Sequence, residues 1–321
     1  MKIRTTLISS ILLSALFFAA PVASAKKRGG GGGDSDSHRR KGIELFDAKN
    51  YAEAIEEFNK AVEAAPGEPG AYRDRGIAYR AAGRVAAASA DGPASAARFN
   101  SAVADFSKAI ELAPKDPVGY LERAQTELGQ IQFDAAIADI NKALELKGEE
   151  ALCYKFRGFA YVGLKQWDKA VADFTVAIQK NANDTQNYDQ RALAYRNLKN
   201  YDAAITDYTA AIEKNPNYQP EYSRRGYTYA LAGQYEKAIV DYQQALKMDP
   251  NDLETPERLR YAQGQIAARN APPATPTPAP AASIITPARI FFAVVILVII
   301  AVVVRLMTRG KPEEISSSRI R

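Results

Sequence analysis

The chain has few of the side chains that build catalytic and metal sites. Its 321 residues include one histidine, His38, and one cysteine, Cys153. A single cysteine excludes an intramolecular disulfide, and these two side chains are too few for a zinc site made of several Cys and His ligands. Histidine-rich catalytic clusters are excluded for the same reason. We therefore expect no catalytic residues, no metal and no cofactor.

The net charge of +5 is unevenly distributed along the chain. Between Arg39 and Asn270 there are 31 Lys and Arg against 33 Asp and Glu, so the central region is slightly acidic. The excess of positive charge lies near the two ends. This distribution is typical of targeting and membrane segments rather than of a DNA-binding face, and we expect no nucleic acid partner.

Residues 1–25 have the pattern of a secretory signal peptide. Two basic residues precede an apolar stretch from Leu7 to Ala20, and Ala23-Ser24-Ala25 supply small side chains at a cleavage site. An uncleaved N-terminal anchor is the alternative, and either interpretation exports the domain that follows. Residues 26–38 contain five consecutive glycines, which predicts a flexible leader.

A second apolar run, from Ile290 to Val304, lies near the other end of the chain. A helix over residues 289–307 would rise about 30 Å, which matches the hydrocarbon thickness of a bilayer. Five basic residues follow this run and one precedes it, so the tail at 308–321 is predicted to be cytosolic. We predict a single-pass protein of the bacterial cell membrane whose preceding domain faces the periplasm or the exterior.

The segment 271–288 carries six prolines among alanine and threonine. This composition favours extended polyproline II and predicts a stalk in front of the membrane helix. A ligand for proline-recognising domains is the alternative.

The centre of the chain repeats with a period of 34 residues. The copy at 219–252 carries small residues, large aromatics and a terminal proline at fixed places: Tyr222, Gly226, Tyr229, Ala238, Tyr242, Ala245 and Pro250. The same types recur in register in the copies at 185–218, 151–184, 117–150, 69–116 and 35–68. Copy three has Ala124 in place of the first glycine, and copies three and four end in Gly148 and Ala182 rather than proline.

This pattern resembles the tetratricopeptide repeat family. The resemblance implies two antiparallel helices in each copy, with small residues where the helices approach closely and proline after the second helix. The expected fold is therefore all-α: a right-handed solenoid over 39–270, made of six helical hairpins plus a cap helix at 253–270, with one C-terminal transmembrane helix.

A charge pattern follows the same period. Five copies share an arginine in the first helix and an aspartate in the second: Arg75, Arg123, Arg157, Arg191 and Arg225 with Asp105, Asp139, Asp173, Asp207 and Asp241. The first copy replaces both members together, with Lys41 and Glu57. A shorter base matched with a longer acid predicts that the two side chains meet across each hairpin as an ion pair. Ligand-binding groups are the alternative.

Copy two is longer than the others by 14 residues, which places an insertion at 84–97. The insertion is rich in alanine on both sides of Asp91-Gly92-Pro93. This composition predicts that both helices of the hairpin run on by about two turns and reverse at that turn. A flexible loop is the alternative.

The resemblance also implies that first helices line a concave groove that holds segments of other proteins. The groove residues predicted in this chain are Arg73, Ile77, Arg80, Leu121, Gln125, Leu128, Lys155, Phe159, Val162, Asp189, Leu193 and Arg196. Their mixture of apolar and basic side chains suits an extended segment with hydrophobic anchors and some acidic character. We predict a non-enzymatic, membrane-anchored scaffold or adaptor for envelope proteins. The alternative is a self-associating structural component or assembly factor of an envelope complex.

Overall fold

A computed structural model of the protein describes residues 33–271 and 287–308, and these residues form helices joined by short turns. The expected signal peptide, residues 309–321 of the expected cytosolic tail and residues 272–286 of the stalk lie outside them. The helices are α1 Gly33–Asp47, α2 Tyr51–Ala64, α3 Pro69–Ala88, α4 Gly92–Leu112, α5 Pro117–Gly129, α6 Phe133–Glu145, α7 Glu150–Gly163, α8 Trp167–Lys180, α9 Thr185–Asn197, α10 Tyr201–Lys214, α11 Gln219–Leu231, α12 Tyr235–Met248, α13 Thr255–Asn270 and α14 Pro287–Thr308.

Helices α1 to α12 form six consecutive hairpins, which confirms the predicted all-α solenoid. Each hairpin packs its two helices on each other, and the second helix of one hairpin contacts the first helix of the next. The first helices also contact the first helices of neighbouring hairpins, whereas successive second helices lie farther apart. First helices therefore line the inner face of the solenoid. Helix α13 follows the sixth hairpin, where the sequence predicted a cap.

The leader predicted at 26–38 is shorter in the structure, because α1 begins at Gly33. Two observations explain why residues 33–38 are helical. Ser35 is buried and its hydroxyl donates to the carbonyl of Ala61 on α2 at 3.0 Å. Asp34 and Asp36 lie in the first turn of α1, where negative charge interacts favourably with the helix dipole. These residues belong to the first repeat rather than to the leader.

The repeated first-helix glycine allows close contact with a large ring on the second helix. A Cβ atom added to Gly158 on α7 would lie 2.8 Å from Phe174 of α8, too close for an ordinary contact. Copy three has Ala124 at this place and pairs it with Ile140, a smaller side chain than phenylalanine, and both are fully buried. The loss of the glycine is thus matched by the loss of the ring.

The insertion in copy two is helical, as predicted. Helix α3 runs to Ala88, and α4 begins at Gly92 after a tight turn. The side chain of Asp91 caps α4 by accepting a hydrogen bond from the backbone N–H of Ala94 at 3.0 Å. Gly83, at the place that Gly233 holds in the sixth copy, lies inside α3 and packs against Phe99. The reversal of the chain moves to Ala90, whose φ is +58°.

Each of the other hairpins reverses after its first helix through a residue with positive φ. In the sixth hairpin this residue is Gly233, whereas the third has Ile131 with φ +64° and its side chain 61% exposed. A β-branched side chain is strained in this region of backbone conformation, and glycine is not.

We expect Ile131→Gly to stabilise the protein by about 0.5–1 kcal/mol, because it relieves this strain and removes a side chain that is mostly exposed. The measurement is thermal unfolding of the purified protein by circular dichroism. The reverse change in the sixth hairpin, Gly233→Ile, is the matched control and is expected to destabilise. A lower melting temperature for Ile131→Gly would contradict the argument from strain.

The ion pair predicted across each hairpin is present in all six copies. In the fourth hairpin, Nε and Nη2 of Arg157 donate to the two carboxylate oxygens of Asp173 at 2.7 and 2.9 Å. In the first hairpin, Nζ of Lys41 lies 2.9 Å from Glu57. The other four pairs are Arg75–Asp105, Arg123–Asp139, Arg191–Asp207 and Arg225–Asp241. The acids are buried, so these pairs are structural.

These arginines also connect each hairpin to the preceding one. Nη1 of Arg157 donates to the Oδ1 atom of Asn141 on α6 at 2.7 Å, and the guanidinium lies 5.1 Å from the ring centre of Tyr154. In the other four hairpins the corresponding acceptors are the side-chain oxygens of Asn59, Ser107, Thr175 and Thr209. A ladder of polar contacts therefore runs from one repeat to the next.

Glu127 on α5 is a buried carboxyl with an unusual pKa. Its Oε2 atom has no hydrogen-bond partner among the described residues. Burial, followed by the nearby Asp139 carboxylate, raises its pKa from 4.5 to about 7, while Arg123 acts in the opposite direction. The folded state therefore keeps a proton on Glu127 over a pH range in which the unfolded chain has lost it.

Because the folded-state pKa is raised, Glu127 lowers stability progressively as pH rises from about 4.5 to about 7. We expect Glu127→Gln to change the melting temperature little at pH 5 and to stabilise the protein by about 1–2 kcal/mol at pH 8. The exposed Glu257, changed to glutamine, is the control. Equal effects of Glu127→Gln at both pH values would contradict this assignment.

Helix α14 is described here by itself. Its segment Ile290–Met307 has a mean hydropathy of 3.2, and none of it is buried. By length and composition this is the one helix in the described part of the chain that could cross a membrane. Residues 290–304 are all apolar, so no side of this stretch is polar.

Candidate functional site

The first helices carry all twelve residues that the sequence predicted for a partner-binding groove. Five of them are half-buried: Arg73, Ile77, Lys155, Leu193 and Arg196. The other seven are buried: Arg80, Leu121, Gln125, Leu128, Phe159, Val162 and Asp189. Phe159 is 2% exposed because its ring packs edge-on against Phe174, with ring centres 5.5 Å apart. The buried side chains offer no open surface in this structure, and the binding role of the set stays a prediction.

Three of the predicted groove cations are held in ion pairs with the next hairpin. Arg73 lies 3.3 Å from Asp116, and Lys155 lies 2.6 Å from Asp184. Each of these aspartates also caps the first helix of its own hairpin, because its Oδ1 atom accepts a backbone N–H. Arg80 pairs with Glu122 on α5. These cations therefore join neighbouring repeats in this structure.

The fourth predicted groove cation, Arg196 on α9, has a different environment. Its guanidinium lies 5.2 Å from the ring centre of Tyr227 on α11, and Nη1 donates a long hydrogen bond of 3.4 Å to the hydroxyl of Tyr208. Arg258 of α13 lies 5.1 Å from the same Tyr227 ring. Tyr227 is 37% exposed. We call Arg196, Tyr227 and Arg258 the Tyr227 site.

Two buried tyrosines lie beneath this site. Tyr208 and Tyr242 occupy the second-helix place that is phenylalanine in copies one, two and four, and they are at most 1% exposed. Burial raises the pKa of both phenols, and the positive charge of Arg196 acts in the opposite direction on each. Their hydroxyls therefore remain protonated at neutral pH.

A buried acid pair lies beside Arg224 between α9 and α11. Nη1 of Arg224 donates to Asp189 at 2.8 Å and also lies 3.3 Å from Glu221. Burial, and then the Asp189 carboxylate, raise the pKa of Glu221 to about 9, so Glu221 is protonated at neutral pH. The positive charge of Arg224 is therefore balanced by the negative charge of Asp189 alone.

Sequence reasoning missed the Tyr227 site. The predicted groove ended at the fifth copy and so did not include Tyr227 of the sixth. A signal was present, because a step of 34 residues from Leu193 leads to Tyr227. Nothing in the period pointed to Arg258, which lies in the cap helix beyond the last repeat.

Comparisons with known proteins agree with this fold. Family models of the tetratricopeptide repeat match residues 39–92, 190–218 and 220–252. No curated protein matches the chain. The first TPR of Spaghetti (RPAP3), solved bound to the HSP90 peptide SRMEEVD, is 30% identical and covers 37% of this chain and 94% of that chain, with a TM-score of 0.36. The chain belongs to the tetratricopeptide repeat family.

Two further solved structures share the fold at low sequence identity. Pseudomonas aeruginosa pilF is 13% identical and covers 73% of this chain and 98% of that chain, with a TM-score of 0.58. The APC/C hetero-tetramer Cut9–Hcn1 is 17% identical and covers 80% of this chain and 45% of that chain, with a TM-score of 0.56. Tetratricopeptide repeat domains mediate interactions between proteins, and the fold is that of a scaffold.

Proposed function

We propose that this protein is a non-enzymatic scaffold of the bacterial envelope that binds segments of other proteins on the inner face of its solenoid. The observation that carries the proposal is the continuous inner face of first helices, which ends in an exposed aromatic ring between two arginines. Half-buried Ile77 and Leu193 add apolar contacts along this face. Aromatic and arginine side chains are the types that contribute most to protein interfaces.

Two features of the ends support an anchored and exported protein. Helix α14 is long and apolar enough to cross a bilayer. The sequence of residues 1–25 is typical of a secretory signal, and the basic residues after position 304 favour a cytosolic tail. We therefore propose a single-pass protein with the solenoid in the periplasm or at the cell exterior.

A comparison of two single substitutions tests the scaffold proposal. Leu193→Glu places a charge on the inner face, and Val240→Glu places the same charge on α12 at a side chain that is 63% exposed. Native membranes carrying each full-length variant are crosslinked, and the captured proteins are identified by mass spectrometry. We expect Leu193→Glu to lose at least one specific partner that the wild type and Val240→Glu both retain.

Two other results would contradict the scaffold proposal. The melting temperature of each variant is measured first, so that loss of a partner is not confused with unfolding. Identical partner sets for all three proteins would move the binding surface away from the inner face. Recovery of the protein only with itself would replace the scaffold proposal with a self-associating assembly.

A further inference from the structure

The Tyr227 site carries one positive charge that no side chain of the described residues balances. Arg73, Arg80, Lys155, Arg224 and Arg258 each have an acidic partner, whereas Arg196 has none among the described residues. Arg258 is paired at 2.5 Å with Glu254, the residue just before α13, and Arg224 is paired with Asp189. In residues 33–271 and 287–308, the guanidinium of Arg196 forms no ion pair, and its hydrogen bond and its ring contact are to the phenol side chains of Tyr208 and Tyr227.

We propose that the Tyr227 site recognises an acidic side chain in an extended segment of a partner protein, with the carboxylate on Arg196 and a neighbouring apolar group on the ring of Tyr227. This inference rests on the proposed function and names the chemistry of the segment that the inner face takes. A guanidinium carries five N–H donors in one fixed plane and can bind a carboxylate through two parallel hydrogen bonds.

The geometry of the site prepares Arg196 for this contact. The guanidinium lies against one aromatic ring and close to the hydroxyl of another, at 5.2 Å and 3.4 Å. Such contacts limit the rotamers of a long side chain, so less conformational entropy is lost when a ligand binds. Arg258 holds the same ring from the cap helix at 5.1 Å.

The surroundings favour a single carboxylate over a polyanion. Glu254 is paired with Arg258 and lies 61% exposed, and buried Asp189 lies on the same helix as Arg196, seven residues earlier. A phosphate group or a nucleic acid strand would place further negative charge near these acids, which is unfavourable. One carboxylate balances the one unpaired charge.

The openness of the site favours a peptide over a small molecule. Tyr227 is 37% exposed, and Leu193 lies one turn before Arg196 on the same helix and is half-buried. Small-molecule sites enclose most of the ligand surface, which an exposed ring on an open face does not do. An extended segment instead contacts the acid-binding residue and the apolar residues together.

The test is fluorescence anisotropy with the full-length protein in detergent micelles. The probes are fluorescein-labelled peptides of ten residues with amidated C-termini and a leucine, alanine and serine background. Glutamate is placed at each position in turn, and each peptide has a glutamine counterpart. We expect at least one glutamate peptide to bind wild type about tenfold more tightly than its counterpart, and Arg196→Gln to reduce that difference to less than twofold.

Control variants separate the contact from the fold. Arg260→Gln removes an arginine of α13 that is 71% exposed, and it should keep the full preference for glutamate. Tyr227→Ala should weaken the binding of both peptides of a pair, because it removes the apolar platform. The melting temperature of each variant is measured beforehand.

Two results would overturn the inference, and they differ in what else they affect. If glutamate and glutamine peptides bind equally well, or if Arg196→Gln retains the preference, the inference fails. If the peptides that bind wild type fail to bind Leu193→Glu in that case, the scaffold proposal still holds although the acidic-segment inference has failed. If no peptide of the set binds to the wild type, the acidic-segment inference and the binding of extended segments by the inner face fail together.

Discussion

Arg157→Ala is expected to destabilise the protein by about 2–3 kcal/mol, because it leaves the buried carboxylate of Asp173 without its partner. Three charge-assisted hydrogen bonds are lost, two to Asp173 and one to Asn141 of the preceding hairpin. The stacking of the guanidinium on Tyr154 is lost as well. The measurement is thermal unfolding of the full-length protein, followed by circular dichroism.

Arg196→Ala is the matched control for this prediction. It removes the same side chain from the first helix of the next hairpin, where the guanidinium makes only a long hydrogen bond to a phenol and a ring contact. No acid loses its partner there, so we expect a loss below about 0.5–1 kcal/mol. Equal shifts of the melting temperature in the two variants would contradict the view that the Arg157–Asp173 pair stabilises the fold.

Gly158→Val is expected to cost about 3 kcal/mol or more, because the ring of Phe174 occupies the space that the new side chain needs. The Cβ atom alone would already lie 2.8 Å from that ring. The two helices pack on each other within one hairpin, which limits how far they can move apart. The free energy of unfolding from urea denaturation measures the effect. The smaller change Gly158→Ala should cost less but act in the same direction.

Two further variants show whether the ring is the cause. Gly264→Val makes the same substitution in α13, at a glycine with nothing within 4 Å of its Cβ position, and should change stability by less than about 0.5 kcal/mol. Adding Phe174→Ile to Gly158→Ala reproduces the pair Ala124 and Ile140 of copy three. The double variant should be more stable than the sum of the two single effects predicts. Additive losses would show that the two sites are independent.

The 34-residue period predicted the hairpins because each place in a repeat meets the same neighbours in every copy. The ion pairs followed from one matched exchange, Lys41 with Glu57, since two side chains that change together are in contact. The helical insertion followed from alanine-rich composition around one turn. Each of these predictions concerns contacts within one hairpin. There, a short turn joins two antiparallel helices, so residues at a given separation in sequence come into contact.

Contacts between hairpins depended on the tertiary structure. Arg157 also contacts Asn141 on the preceding hairpin. A polar residue recurs at this place of the repeat, but whether it contacts the arginine depends on how two hairpins stack. The same holds for Arg73 and Lys155, which the sequence assigned to the groove and which the structure pairs with aspartates of the next hairpin.

The sequence by itself determined the class of the fold, the register of six hairpins and the presence of an apolar helix near the end of the chain. The tertiary structure alone decided which side chains of the inner face remain available. Tyr227 and Arg196 come together across two hairpins, and Arg258 reaches them from a cap helix outside the period. The physical reason is that burial and charge balance are properties of stacked repeats, and no single repeat contains them.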